Sequence, residues 1–172
     1  MPTSHPPSLI RQQGVAAVEF AIVCLLFFTI LFGILEFGRM LYLYNTMQEV
    51  TRSGARAAVV RWVDQTDTIK SIAFFGGTAI PAGAEVTSAD MTIEYLNKAG
   101  VVVPVLNRPV DPGDNLSACG DNTRTANCIY SVRVSIDKVS YRPMVNLFNF
   151  LNIRLPTSTV TMHAESMGFQ IN

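Results

Sequence analysis

Residues 11–35 read RQQGVAAVEFAIVCLLFFTILFGIL, and the organisation of the chain follows from them. From Val15 to Leu35 there is one charge, Glu19, and the sixteen residues from Phe20 to Leu35 carry none. As a helix rising 1.5 Å per residue this run spans about 31 Å, close to the hydrocarbon thickness of a bilayer. A 172-residue chain offers no core thick enough to surround such a helix. The following EFGRMLYLYN shows no small-x-small pattern, so the segment reads as a retained membrane span and not a cleaved secretory signal.

The rest of the chain has ordinary soluble composition. Charged residues are 15% of the whole, a deficit concentrated in the span, and 13 basic residues balance 13 acidic ones. No basic excess points to a nucleic-acid partner. Charge by itself does not orient the span. Arg39, Arg52 and Arg56 follow it and Arg11 precedes it, mildly against export of the C-terminal part.

Beyond Leu35 the helical pattern continues. Ile34, Phe37, Leu41, Tyr44, Met47, Val50, Ala55, Ala58 and Trp62 recur at three- to four-residue steps, predicting one helix from Val15 to about Val63. Glu36 with Arg39, and Glu49 with Arg52, are spaced as i,i+3 pairs on its polar side. Tyr42 and Tyr44 are placed for the membrane interface.

After Asp64 the pattern changes to strands and turns. Met91 to Tyr95 and Val101 to Val105 flank Asn97-Lys98-Ala99-Gly100 and predict a hairpin. Residues 109–127 read as a loop. Val132, Val134 and Ile136 alternate as a strand, Val145 to Leu151 predicts a helical turn or two against the sheet, and residues 157–166 predict a last strand. The expected fold is α+β, a long N-terminal transmembrane helix continuing as a spine packed against a small antiparallel β-sheet.

Cys119 and Cys128 form a close pair in a polar segment. They read as a local disulfide in an exported region and as two free thiols in a cytosolic one. Closing that loop contributes about 2.5–3 kcal/mol on the chain-entropy estimate. No catalytic constellation emerges. His5 and His163 are far apart and give no zinc pattern. Asp111, Asp114, Asp121 and Asn122 do not match a calcium loop and read as solvated. The expectation is a non-enzymatic protein without cofactor or metal.

The most informative feature is a polar leader ending at Gly14, an apolar helix from Val15, and a carboxylate at Glu19. An ionisable residue inside a span is a functional hypothesis by default. A glycine, four residues and a glutamate at the head of an apolar helix resemble the processing site of type IV pilins and pseudopilins. The form GVAAVEFAIV, with small residues before the Glu and Phe after it, resembles the TadE-like minor pseudopilins of tight-adherence (type IVc) pilus systems. Typical type IV pilins instead carry Phe-Thr-Leu-Ile between the Gly and the Glu. The likeness is strongest from Gly14 to about Val63 and continues more weakly in SVRVSIDKVSYRP.

The resemblance implies cleavage between Gly14 and Val15 by a prepilin peptidase. Val15 would then carry a new α-amino group of pKa about 8. Glu19, at i+4, lies on the same helix face and could neutralise that amine or a neighbour's. A carboxylate that simply snorkels near the first turn is the simpler alternative. The resemblance divides the chain into leader 1–14, helix 15–63 and exported α+β domain 64–172. It implies a single-pass protein of a bacterial inner membrane with its C-terminal domain periplasmic, and partners among the lipid bilayer, the peptidase, other pilins and the pilus assembly platform. The cysteine pair and the resemblance favour export. The alternative is an unprocessed, signal-anchored protein with an exported ligand-binding or adhesin domain.

Overall fold

The computed structural model describes residues 12–164 and 167–168. The first eleven residues of the expected leader, and Glu165 and Ser166 of the expected last strand, lie outside the described residues.

Helix α1 runs from Gln12 to Val60, about 74 Å at the standard rise. No proline interrupts it, and its glycines cost only propensity. It stops three residues before the expected Val63, where the Gly168 amide binds the Val60 carbonyl at 3.3 Å. Where strands and turns are expected directly after Asp64, a second helix, α2 (Thr66–Ala73), follows at once. Ile69 and Ala73, one turn apart, are buried, which holds so short a helix in place. The left-handed Phe75 and Gly76 end it, the Gly76 amide reaching back to the Ser71 carbonyl at 2.8 Å.

Strands β1 (Ala79–Ile80) and β2 (Gly83–Thr87) form a small antiparallel hairpin. A turn capped by the reciprocal Thr87–Asp90 hydrogen bonds leads from it into the main sheet. That sheet is antiparallel in the order β3 (Met91–Leu96), β4 (Ser131–Ile136), β5 (Ser158–His163). Val132, Val134 and Ile136 of central β4 are fully buried, as their alternation predicts. The expected hairpin after β3 is a stub. The Asn97–Gly100 turn forms, but Val102 makes a single bridge to Leu96 before Pro104, which has no amide to donate, ends the pairing.

Residues 109–127 are not all loop either. Helix α3 (Pro112–Gly120) starts with Asp111 as its cap, accepting from the Asp114 amide at 2.7 Å, and with proline at its first position. Asn115 ties it to the sheet, bonding the Ile129 amide at 2.8 Å and the Ile129 carbonyl at 3.2 Å.

The upper half of α1 lies against this sheet, as expected, and the predicted stripe holds from Tyr44 onward but not below it. Met47, Val50, Ala55 and Ala58 are buried, whereas Ile34, Phe37 and Leu41 point outward. The inward positions at that level are Glu36, Met40 and Leu43. Tyr44 packs against the core, and Tyr42 donates to the Pro81 carbonyl at 3.1 Å. Thr51 crosses to β5 by a 2.6 Å hydroxyl–hydroxyl bond with Ser158. Two glycines set the closeness of packing. A β-carbon on Gly54 would meet Met91 Cε at 3.0 Å, and one on Gly83 would lie 2.2 Å from Leu43 Cδ2.

Gly83→Ala is therefore expected to destabilise the domain by about 1–3 kcal/mol through overpacking. At Gly38 nothing lies within 4 Å of an added β-carbon, and Gly38→Ala should stabilise by about 0.5–1 kcal/mol. Denaturation of the two variants in detergent, followed by circular dichroism, checks the opposite signs.

Candidate functional site

The N-terminal half of α1 carries the residues singled out in the sequence. Its best 18-residue window has a mean hydropathy of 2.7, and none of it is buried. Val15, Val18, Phe20, Leu25, Phe28 and Ile34 are all exposed. A row of large apolar side chains this long is not stable in water, and its length and composition suit a bilayer. Gly14, Val15 and Glu19 are all exposed and lie within the first turns. Val15 and Glu19 are one turn apart on one face, as the i,i+4 spacing requires. A β-carbon on Gly14 would meet nothing within 4 Å, so the fold itself does not demand glycine there.

Where the apolar run ends, the structure builds a polar lock. Glu36 is 3% exposed. Its carboxylate accepts from the Tyr141 hydroxyl, from the Met144 amide at 2.8 Å and from the Val145 amide at 2.9 Å. Tyr141 is itself fully buried. Burial, and then the bond to Glu36, push its phenol above the ordinary value, so it remains a donor at neutral pH. Arg39 lies over the Tyr141 ring, 5.1 Å from the centroid, pairs with Glu85 of β2, and donates to the Arg142 carbonyl at 2.8 Å. The expected surface pair of Glu36 with Arg39 is thus replaced by two separate engagements, each reaching across the fold. Spacing on one helix could not reveal this, because the competing partners lie 46 to 109 residues away.

The remaining candidates are accounted for locally. Cys119 and Cys128 are joined in a disulfide between α3 and the approach to β4, while Cys24 is free within the apolar run. Asp111 caps α3, Asp114 pairs with Arg124 at 2.7 Å, and Asp121 accepts from Thr123. His163 stands edge-on to the Tyr130 ring at 5.1 Å. Among the described residues no three metal-ligating side chains converge.

Residues 14–56 match the family model described as TadE-like protein. That match begins at Gly14, runs through the span and the lock residues Glu36 and Arg39, and ends within the half of α1 that packs on the sheet. The likeness read from GVAAVEFAIV is thereby shown. No curated protein and no solved structure matches the chain.

Glu36→Ala would leave the Met144 and Val145 amides without their acceptor, while the Tyr141 hydroxyl keeps the Glu36 carbonyl at 3.0 Å. Buried unsatisfied donors cost about 1–3 kcal/mol each. Hydrogen exchange at the Met144 and Val145 amides is expected to accelerate strongly in this variant and to stay unchanged in Glu49→Ala, whose side chain is exposed. Unchanged protection in Glu36→Ala would show that the lock does not hold this region.

Proposed function

We propose that this chain, TadE-like over residues 14–56, is a minor pilin or pseudopilin of a tight-adherence pilus, cleaved between Gly14 and Val15 by a prepilin peptidase. The observation that carries the reading is the coincidence of three features at one helix start. The family match begins at Gly14, the unpacked apolar run begins at Val15, and a carboxylate stands one turn further on. The protein is membrane-anchored through α1, and residues 64–172 form its exported periplasmic domain. Its role is structural, without enzymatic chemistry, and its partners are the bilayer, the peptidase, other pilins and the assembly platform.

The physical basis of assembly is the apolar face of α1. Outside a bilayer that face must pack against like helices. In such a bundle Glu19 is costly unless paired, and a cationic Val15 amine on a neighbouring subunit supplies the pair. Charge pairing at one depth fixes the axial register between helices that otherwise slide.

Gly14→Ala tests the cleavage step cleanly. The structure leaves room for the methyl group, and alanine is the better helix former, so the variant should fold and insert normally. Its mature form is expected to retain the leader, seen as a mass about 1.5 kDa above the processed wild type, fourteen residues' worth of an 18.9 kDa chain. N-terminal sequencing should give Val15 for wild type. An intact Met1 terminus in mature wild-type protein would instead favour an unprocessed signal anchor. Glu19→Ala is expected to leave insertion intact and to abolish pili, and normal piliation would sink the pairing role.

A further inference from the structure

A loop below the main sheet remains unexplained by this reading. Its neck is closed by an antiparallel bridge between Ser140 and Arg154, with the Tyr141 amide donating to the Ile153 carbonyl at 2.8 Å. From there the chain runs along α1 toward the apolar half. Met144 and Val145 are held at Glu36, and the buried Phe148 ring lies 3.6 Å from where a Gly33 β-carbon would stand. Gly33 and Glu36 are nearly one turn apart, so the loop descends about 5 Å along the helix. Gly33 belongs to the Val15–Leu35 run. The loop tip therefore stands beside the end of the span itself.

The side chains on this tip do not serve the core. Met144 is 76% exposed, Leu147 58%, Phe150 75% and Ile153 44%. Phe148 is seated on α1 and Phe150, 6.1 Å away between ring centroids, is turned out. Arg142 and Arg154, both exposed, stand at the neck. Cations above and apolar or aromatic side chains below, at the depth where a span leaves the bilayer, is the pattern of an interfacial contact. Arginine stems lie along apolar surface while their heads reach phosphate.

We propose that residues 142–154 form a second membrane contact. The tip enters the headgroup–acyl boundary of the leaflet in which α1 ends, and Arg142 and Arg154 face the phosphates of anionic phospholipids. The continuity of this apolar surface with the span selects lipid as its occupant. A single helix can turn about its own axis in a bilayer, and an off-axis contact sets that rotation. The loop, pinned by Glu36, thereby determines which face of α1, Glu19 included, a neighbouring subunit meets. The inference rests on α1 spanning the bilayer.

The test uses the full chain in liposomes of phosphatidylethanolamine and phosphatidylglycerol. A nitroxide is attached to native Cys24, or to L147C, F150C or L106C in a C24S background. Collision with oxygen, which concentrates in lipid, is compared with collision with a water-soluble nickel chelate. Labels at 24, 147 and 150 are expected to favour oxygen, and the label at 106, where the native side chain is 97% exposed, to favour nickel. In liposomes containing phosphatidylglycerol, R142Q combined with R154Q should move the 147 label toward nickel. Oxygen preference at 24 with nickel preference at 147 and 150 would overturn the second contact alone. Spin–spin broadening at 147 and 150 would overturn it in favour of a second copy of the chain. Nickel preference at Cys24 would overturn the anchoring premise and this inference with it.

Discussion

The carboxylate of Glu36 sits at the seam between two environments of a single helix. On its N-terminal side α1 presents apolar side chains left exposed, with Phe148 seated only at Gly33, and on its C-terminal side the same helix is the wall of a folded core. Glu36 takes three hydrogen bonds from the segment after β4, one from a buried phenol and two from backbone amides. The desolvation of such a group offsets much of what its partners supply, so its value lies less in net stability than in register. An apolar residue there would bury as well but would accept nothing from Met144 and Val145. Arg39, one turn on, reaches the β1–β2 hairpin through Glu85 and the loop neck through Arg142. Together the two charges hold hairpin, loop and helix in one arrangement.

Above this seam the fold is held by close approach. Gly83 lets the hairpin press on α1 more closely than a methyl group would permit, and Gly54 lets Met91 and Val134 of the sheet lie tightly against the helix. Thr51 and Ser158 satisfy each other where both are buried. The disulfide and the Asn115 bonds fix α3 to the approach to β4. The sheet domain is thus attached along the upper half of α1, and most of the apolar half carries no packing from it.

Much of this was legible in the residues. The span, the α+β order and the strand at 131–136 follow from composition, period and spacing, and the TadE-like helix start from the resemblance of GVAAVEFAIV. The errors have specific causes. Helices α2 and α3 are short, and their propensity is outweighed locally by turn residues, although Asp111-Pro112 was a readable helix start. The hairpin after β3 is shorter than the alternation suggests because Pro104 has no amide to pair.

The stripe on α1 shows the boundary between the two kinds of information. Apolar period alone favours Ile34, Phe37 and Leu41 as inward, since a helix destined for lipid is apolar all round and offers several equally good faces. The sequence by itself therefore determined that there is a span, where it starts, and that Gly14, Val15 and Glu19 share its first turns. Below Tyr44, which face of the helix meets the domain was decided by the tertiary structure. The deciding partners, Tyr141, Met144 and Val145, are brought to Glu36 only when the sheet forms, and a hydrogen bond across that distance in sequence leaves no local pattern.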